Sequence, residues 1–189
     1  VAHNFSLCSK VEQELSQIKQ AINSSIKSHK LFSKCYKINS LALNGSVFAY
    51  SNLANIYSNL GLDNIALNYL HKGQKLASQS ADPYIPNIRI NMNLANIYSK
   101  LNKFNQSTKL LENIYVSANK KKYFHIVIPA LVNLANIYHK QKNYTKALEL
   151  NNEAWDISKK IKEAHYIATI INAKAKIYED MDDLDQAFI

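Results

Sequence analysis

The sequence has few residues that interrupt a helix and few that could cross-link a fold: its 189 residues include 3 Gly, 3 Pro and 2 Cys. A β-sandwich of this length needs many more turn residues, so the scarcity of Gly and Pro favours long helices joined by short turns. Cys8 and Cys35 form no CxxC motif, which favours free structural thiols over a metal site. A disulfide between them stays open, so the redox compartment is not fixed.

Membrane-spanning runs and catalytic motifs are also missing from the sequence. No apolar run reaches the roughly 18 residues that suggest a membrane span, and we expect no membrane segment. The 6 histidines show no HExxH or other metal spacing. No Ser-His-Asp order, P-loop or GxGxxG can be read either. We therefore predict no enzymatic activity, no cofactor and no metal.

The charge of the chain has one predominant sign. It carries 23 Lys and Arg against 14 Asp and Glu, for a formal net charge of +9. Such a balance can indicate an acidic partner, a nucleic acid or an anionic membrane. Here the basic residues are scattered rather than gathered in one block, which favours solvated helix faces. We therefore expect no direct binding of nucleic acid and no membrane partner.

One hexapeptide, by contrast, recurs along the chain. Asn-Leu-Ala-Asn-Ile-Tyr occurs three times, and a degenerate copy, Ala-Lys-Ala-Lys-Ile-Tyr, follows. The tyrosines that end the four copies are spaced 41, 40 and 40 residues apart. A constant period of this size indicates a repeat array, in which each unit buries a face against its neighbours. The copies are Asn52–Tyr57, Asn93–Tyr98, Asn133–Tyr138 and Ala173–Tyr178.

The periodicity predicts an all-α chain in which residues 1–189 form one solenoid of antiparallel helix pairs. Residues 1–45 are predicted as a degenerate helix pair, with a second helix over Ser24–Ile38 and a turn at Asn44-Gly45-Ser46. Gly61 is expected in a left-handed cap, and Pro129 at a helix start or a kink. Full repeats are predicted at 47–81, 84–122 and 123–163, and a truncated repeat at 164–189.

Within the hexapeptides, Leu, Ala and Tyr fall on one helical face, as is typical of a core. The Ala marks a place where two helices come close, because a larger side chain would overpack there. We expect the Tyr to fill the gap between helices rather than to stack on a ligand. These positions are Ala54, Ala95, Ala135 and Ala175, and Tyr57, Tyr98, Tyr138 and Tyr178.

The pattern of these residues resembles the tetratricopeptide repeat, in which a Leu-small-x-x-Tyr core precedes a Gly or Asn turn, an aromatic and two small residues. The resemblance implies a right-handed α-solenoid whose first helices line a concave face, and proteins or peptides as partners. The longer period resembles the extended subtype of spindle-orientation scaffolds, kinesin light chains and many bacterial sensors and regulators. Two positions depart from the pattern: Ser107 replaces an Ala, and Lys174 replaces a Leu. The third repeat matches at Leu134, Ala135, Tyr138, Asn143, Tyr144, Ala147 and Ala154.

The asparagines of the hexapeptides, which lie opposite the core face, support the functional hypothesis. Asparagine is a mediocre helix former, and its amide can both donate and accept hydrogen bonds. Stacked repeats would turn these amides into a ladder along the concave groove, able to pair with the backbone of an extended peptide. Nearby basic side chains, including His139 and Arg89, would add positive charge. The predicted peptide-binding residues are Asn52, Asn55, Asn93, Asn96, Asn133, Asn136, Lys100 and Lys140.

These observations favour a protein-interaction module that serves as the sensing or docking part of a larger signalling or regulatory protein, plausibly bacterial and cytoplasmic. The start at Val1 without Met and the end at Ile189 inside a predicted helix indicate a piece of a longer chain. Two alternatives stay open: a structural or oligomerisation spacer that self-associates, and the peptide-receptor domain of a quorum-sensing-type transcription regulator. The asparagines could also reflect an Asn-rich composition or a recent duplication of the repeat.

Overall fold

The computed structural model describes residues 2–35 and 40–182, and these residues form eight α-helices and no strand. This confirms the predicted all-α class. From α2 onward in this part of the chain, short turns join each helix to the next. The helices are α1 Ala2–Cys35, α2 Ser40–Asn59, α3 Asp63–Ala77, α4 Tyr84–Lys100, α5 Phe104–Lys120, α6 Phe124–Lys140, α7 Tyr144–Ile161 and α8 Ala164–Asp180.

The first helix is one long element where the sequence predicted a helix pair. It continues through the position of the expected break because residues 2–35 contain neither Gly nor Pro. The turn predicted at Asn44-Gly45-Ser46 was also wrong, since these residues lie inside α2. A Cβ on Gly45 would come within 2.8 Å of the ring of Phe32, so this glycine allows α1 to approach α2 closely.

Three predictions fall outside the described residues. The second helix of the truncated repeat falls on residues 183–189, and the end of the predicted helix Ser24–Ile38 falls on residues 36–39. The free-thiol expectation rests on the side chains of Cys8 and Cys35, which also lie outside the described part. All three stay predictions.

Most of the described helices end on one residue in the left-handed conformation. Gly61 has a φ of 75°, as predicted. At the ends of the hexapeptide helices α4 and α6, the amide N–H that follows the left-handed residue donates back to the tyrosine carbonyl, from Lys103 to Tyr98 at 2.8 Å and from Asn143 to Tyr138 at 2.9 Å. This is the Schellman pattern, which satisfies carbonyls at a helix end. It recurs at intervals of 20 residues, with φ of 58° or 59° at Asn102, Lys122, Lys142, Lys162 and Asp182.

By its internal contacts the chain divides into two compact units, Val1–Asn93 and Leu94–Ile189, with the boundary inside α4. In the first unit α1 packs on α2, and α2 packs on α3. Leu53 and Ala54 of the first hexapeptide are buried there. The ring of Tyr57 is half-buried and stacks on the ring of Tyr69, with 5.4 Å between the centroids. This tyrosine lies in the packing between two helices, as the sequence predicted.

In the second unit α5 packs on α6, α6 packs on both α7 and α8, and α7 packs on α8. Ala135, Ala147 and Ile177 form a core cluster, and the half-buried side chains of Tyr138 and Tyr144 pack against it. The small residues of the repeat are therefore placed where helices meet, which explains why the pattern requires them.

Polar groups tie the helices of the second unit together. Ser107, which replaces an Ala of the family pattern, is fully buried and donates its hydroxyl to the carbonyl of Ala95 at 2.6 Å. The substitution is tolerated because this buried hydroxyl has a partner. Pro129 lies inside α6 rather than at its start. The carbonyl of His125, which faces the gap left by this proline, accepts from the Tyr166 hydroxyl of α8.

Candidate peptide-binding surface

Each hexapeptide places its asparagines and its apolar residues on different sides of the helix. Helical geometry puts residues three and four apart on one face, so the two asparagines share a face and the Leu, Ala and Ile lie elsewhere. In the second unit Leu94 and Ala95 are buried while Asn96 is exposed. The same alternation recurs on α6. The predicted site residues divide into exposed side chains, Asn52, Asn55, Asn96, Asn136, Lys100 and Lys140, and half-buried ones, Asn93 and Asn133.

Four of the predicted residues line one cavity of about 340 Å³ in the second unit. The cavity lies along the end of α4, the first half of α5, the second half of α6 and α8. Ser99, Ser107, His139 and Lys176 complete its polar lining, and Leu111 and Ile137 contribute apolar surface. The predicted residues in the lining are Asn96, Asn133, Asn136 and Lys140. The structure thus brings amides from two successive repeats to one surface.

The remaining predicted residues do not line this cavity. Lys100, at the end of α4, is exposed but is absent from the lining. Asn52 and Asn55 are exposed on α2, and Asn93 is half-buried on α4, all in the first unit. Arg89, also in the first unit, lies over the ring of Phe48 at 4.5 Å from its centroid. These residues stay predicted site residues.

Lys140 has a role that the sequence did not reveal. Its ammonium group donates to the hydroxyl of Ser99 at 3.2 Å and to the carbonyl oxygen of Ser99 at 3.4 Å. That carbonyl belongs to the last turn of α4, where a helix carries partial negative charge that a cation stabilises. Lys140 therefore links two successive repeats, and only part of its hydrogen-bonding capacity is left for a ligand.

A second polar link borders the same surface. The Nε2 atom of His139 lies 2.7 Å from a carboxylate oxygen of Asp180 in α8. The side chain of His139 is 19% exposed and that of Asp180 is 60% exposed, so the pair lies at the rim of the surface and is partly screened by water. The carboxylate of Asp180 therefore offsets positive charge on one side of the cavity.

Lys176 lines the cavity but was not among the predicted site residues. Its position follows Asn136 by one repeat, in the degenerate hexapeptide, so the repeat register alone could have identified it. The cavity lining therefore combines amides, hydroxyls, an imidazole and two ammonium groups, and among the residues that the structure describes no carboxylate belongs to it. Such a surface can hold the peptide groups of a chain and a carboxylate, because amides donate and accept while Lys only donates.

Two further features of the described part bear on function. No helix within residues 2–35 and 40–182 combines the length and apolar character that crossing a membrane requires. In the same residues, His, Cys, Asp and Glu side chains do not gather in groups of three or more that could hold a metal ion.

Comparison with known proteins is consistent with this architecture. No curated protein sequence matches the chain. The structure of BtubC (BKLC) from P. vanneervenii is similar, with a TM-score of 0.75 and 16% identity over 90% of this chain and 69% of its own. The nearly identical TPR-like repeats assigned to a kinesin light chain of Podosopora anserina align with a TM-score of 0.63 and 16% identity. That alignment covers 95% of this chain and 90% of the other, and at this identity both likenesses establish the fold alone.

The helix pairs and their amide-lined surface define the chain as an all-α solenoid repeat protein. Residues 127–189 match the family model of the tetratricopeptide repeat. This segment, a third of the chain, is similar to tetratricopeptide repeats, which generally mediate contacts between proteins.

Proposed function

We propose that the chain binds an extended segment of a partner protein on the surface of the second unit, through Asn96, Asn133 and Asn136. The observation that carries the proposal is the position of these three amides in one cavity lining, beside Lys140 and Lys176. A protein that binds segments in this way would act as the sensing or docking part of a larger signalling or regulatory protein.

The amides would supply affinity that does not depend on the sequence of the segment. An extended peptide presents alternating N–H and C=O groups, and a side-chain amide can pair with either. Each such hydrogen bond contributes about 0.5–1.5 kcal/mol after the loss of water. The half-buried Asn133 would set the position of the segment, while the exposed Asn96 and Asn136 would close on it.

The ammonium groups would add a preference for acidic side chains. Lys176 is exposed, and the described part of the lining contains no carboxylate, so a Glu or Asp of the segment would find a positive surface. Electrostatic contacts of this kind contribute mainly to selectivity and to the association rate. We expect binding to weaken as salt is raised, because exposed charges are screened.

The test is a selection of binders from a library of displayed random peptides on the full chain, followed by titration of selected peptides with variants. The double variant Asn96→Ala and Asn136→Ala should lose affinity about tenfold, since two hydrogen bonds are removed from exposed positions. The matched control is the pair Asn105→Ala and Asn152→Ala, at exposed asparagines of α5 and α7. Equal binding by the two double variants would refute the proposal.

Sedimentation of the same samples separates this function from an oligomerisation role. A peptide-binding module should keep one mass across protein concentrations. If the chain instead self-associates, and the double variant Asn96→Ala and Asn136→Ala does not, the surface binds a second copy of the chain.

A further inference from the structure

The first unit contains a second polar cavity, unrelated to the hexapeptide asparagines. It has a volume of about 290 Å³ and lies where α1, α2 and α3 meet. Since a water molecule occupies about 30 Å³ of liquid, the cavity has room for a polyatomic group. Its polar lining comprises His29 and Ser33 of α1, Tyr50 of α2, Lys72 and Lys75 of α3, and Gln79 just after α3.

The charges at this cavity are of one sign. Lys72 and Lys75 are three residues apart on α3, so their side chains leave the same face of the helix. Both are exposed, and within residues whose side chains the structure describes no carboxylate lines the cavity. Neither lysine forms an ion pair with any residue that the structure describes. Lysines near a helix C-terminus also stabilise the helix dipole, but that role does not need a polar cavity beside them.

His29 reports the electrostatic potential inside this cavity. Its Nε2 atom lies 3.0 Å from the hydroxyl of Tyr50, and the two ring centroids are 4.4 Å apart. Burial lowers the pKa of His29, and the nearby positive charge of Lys72 lowers this pKa further. The positive potential of Lys72 therefore extends to the imidazole. An anion beside Lys72 would reduce that potential and favour the protonated ring.

We infer that this cavity binds a phosphate group, either as free phosphate or on a phosphorylated side chain of a partner. Two lysines match the charge of a phosphate monoester near neutral pH, which is about −1.5 to −2. The amide of Gln79 adds donors for further phosphate oxygens. A single carboxylate would balance only one of the two ammonium groups. This inference is independent of the proposed function, because the cavity lies in the first unit.

The experiment follows the imidazole signals of His29 by NMR while inorganic phosphate is added to the full chain at constant ionic strength, with chloride as the exchanged anion. We expect a saturable shift and an increase in the pKa of His29. Lys72→Gln and Lys75→Gln should each weaken phosphate binding about tenfold, the effect of losing one charged hydrogen bond. Lys109→Gln, at an exposed lysine of α5, is the matched control and should bind like the original chain.

A phosphoserine peptide and its unphosphorylated form identify the source of the group. Saturation by inorganic phosphate and by the phosphopeptide shows that the phosphate group alone suffices, whereas saturation by the phosphopeptide alone assigns the site to a phosphorylated partner. Circular dichroism checks that each variant is folded, and the titration of the unaltered chain tests the inference without any variant. A linear response to every anion, or equal responses from Lys72→Gln and Lys109→Gln, would overturn it.

Discussion

The hydroxyl of Tyr166 in α8 donates to the carbonyl oxygen of His125 in α6 at 3.2 Å. In a regular helix this carbonyl accepts from the N–H of the residue four positions later, which here is Pro129. Proline has no N–H, so the carbonyl lacks its helical partner. A hydrogen bond from the next repeat takes the place of the missing one, and it joins two residues that are 41 positions apart.

Replacing Tyr166 should therefore lower the free energy of unfolding more when Pro129 is present than when it is absent. We predict that Tyr166→Phe lowers the free energy of unfolding by about 0.5–1.5 kcal/mol. In a Pro129→Ala background the loss should be smaller, because the alanine N–H can bond to the His125 carbonyl. Denaturant unfolding of the four proteins gives the coupling energy of this double-mutant cycle. Strictly additive effects would contradict the prediction.

The left-handed helix ends predict opposite effects for two substitutions. Lys142 has a φ of 59°, a conformation that costs an L-residue roughly 1–2 kcal/mol. Lys142→Gly should raise the free energy of unfolding by about 0.5–1 kcal/mol, since glycine avoids this strain at some cost in entropy. Lys142→Ala, which removes the charge and keeps the strain, is the control. Thermal and denaturant unfolding would show no gain for glycine over alanine if strain were unimportant.

Gly61 provides the reverse case. Its φ is 75°, and no atom of the described residues lies within 4 Å of a Cβ added there, so a substitution would meet backbone strain and no steric clash with them. Gly61→Ala should lower the free energy of unfolding by about 1 kcal/mol. An unchanged midpoint in denaturant would show that the turn relaxes to another conformation.

Asn151 is a buried polar residue whose replacement should stabilise the protein. It is fully buried, and within the described part of the chain neither amide atom has a hydrogen-bond partner. The position one repeat earlier holds the buried Leu111. Asn151→Leu should raise the free energy of unfolding by about 1–3 kcal/mol, because an unsatisfied buried amide costs about that much. Asn152→Leu, at the exposed neighbour, is the control, and a loss of stability in Asn151→Leu alone would indicate a partner for the amide.

The hydrogen bond between Tyr115 and Glu153 should make the stability of the fold depend on pH in the alkaline range. The Tyr115 hydroxyl donates to the Glu153 carboxylate at 2.6 Å. This hydrogen bond, with smaller contributions from burial and the carboxylate charge, raises the pKa of Tyr115 to about 12. In the unfolded chain the phenol ionises near pH 10, so between about pH 10 and 12 the unfolded state loses its proton first.

Stability from this link is therefore present below about pH 10 and lost as the pH rises towards about 12. Tyr115→Phe should reduce this loss, measured as the change in the free energy of unfolding from denaturant curves across that range. Tyr123→Phe, at an exposed tyrosine of the same unit, is the control. The same alkaline slope in both variants would exclude a role for Tyr115.

Part of the candidate surface could be read from the repeat register. The spacing of the hexapeptides put Asn96 and Asn136 at equivalent positions of successive helices, and the structure places both in one cavity lining. The same register points to Lys176, which follows Asn136 by one repeat but was not among the predicted site residues. The link from Lys140 to Ser99 could not be predicted, since it depends on how far one helix is shifted along the next.

The wrong predictions for the first 45 residues, of a helix break and of a turn, have a different cause. The sequence predicted a second helix from Ser24, but no Gly or Pro interrupts α1, and backbone hydrogen bonding continues. Gly45 suggested a turn because glycine permits turns, yet its missing Cβ makes room for Phe32. A single sequence does not distinguish these two uses of glycine, which differ only in what packs against it.

The sequence by itself determined the repeat period, the helical class and the buried face of the hexapeptide helices, because spacing and side-chain polarity act within one helix. Only the tertiary structure decided which side chains of successive repeats meet, such as Tyr166 with the His125 carbonyl and Lys140 with Ser99. These contacts join residues 41 positions apart, and they follow from the packing of helices against each other, which no local pattern specifies.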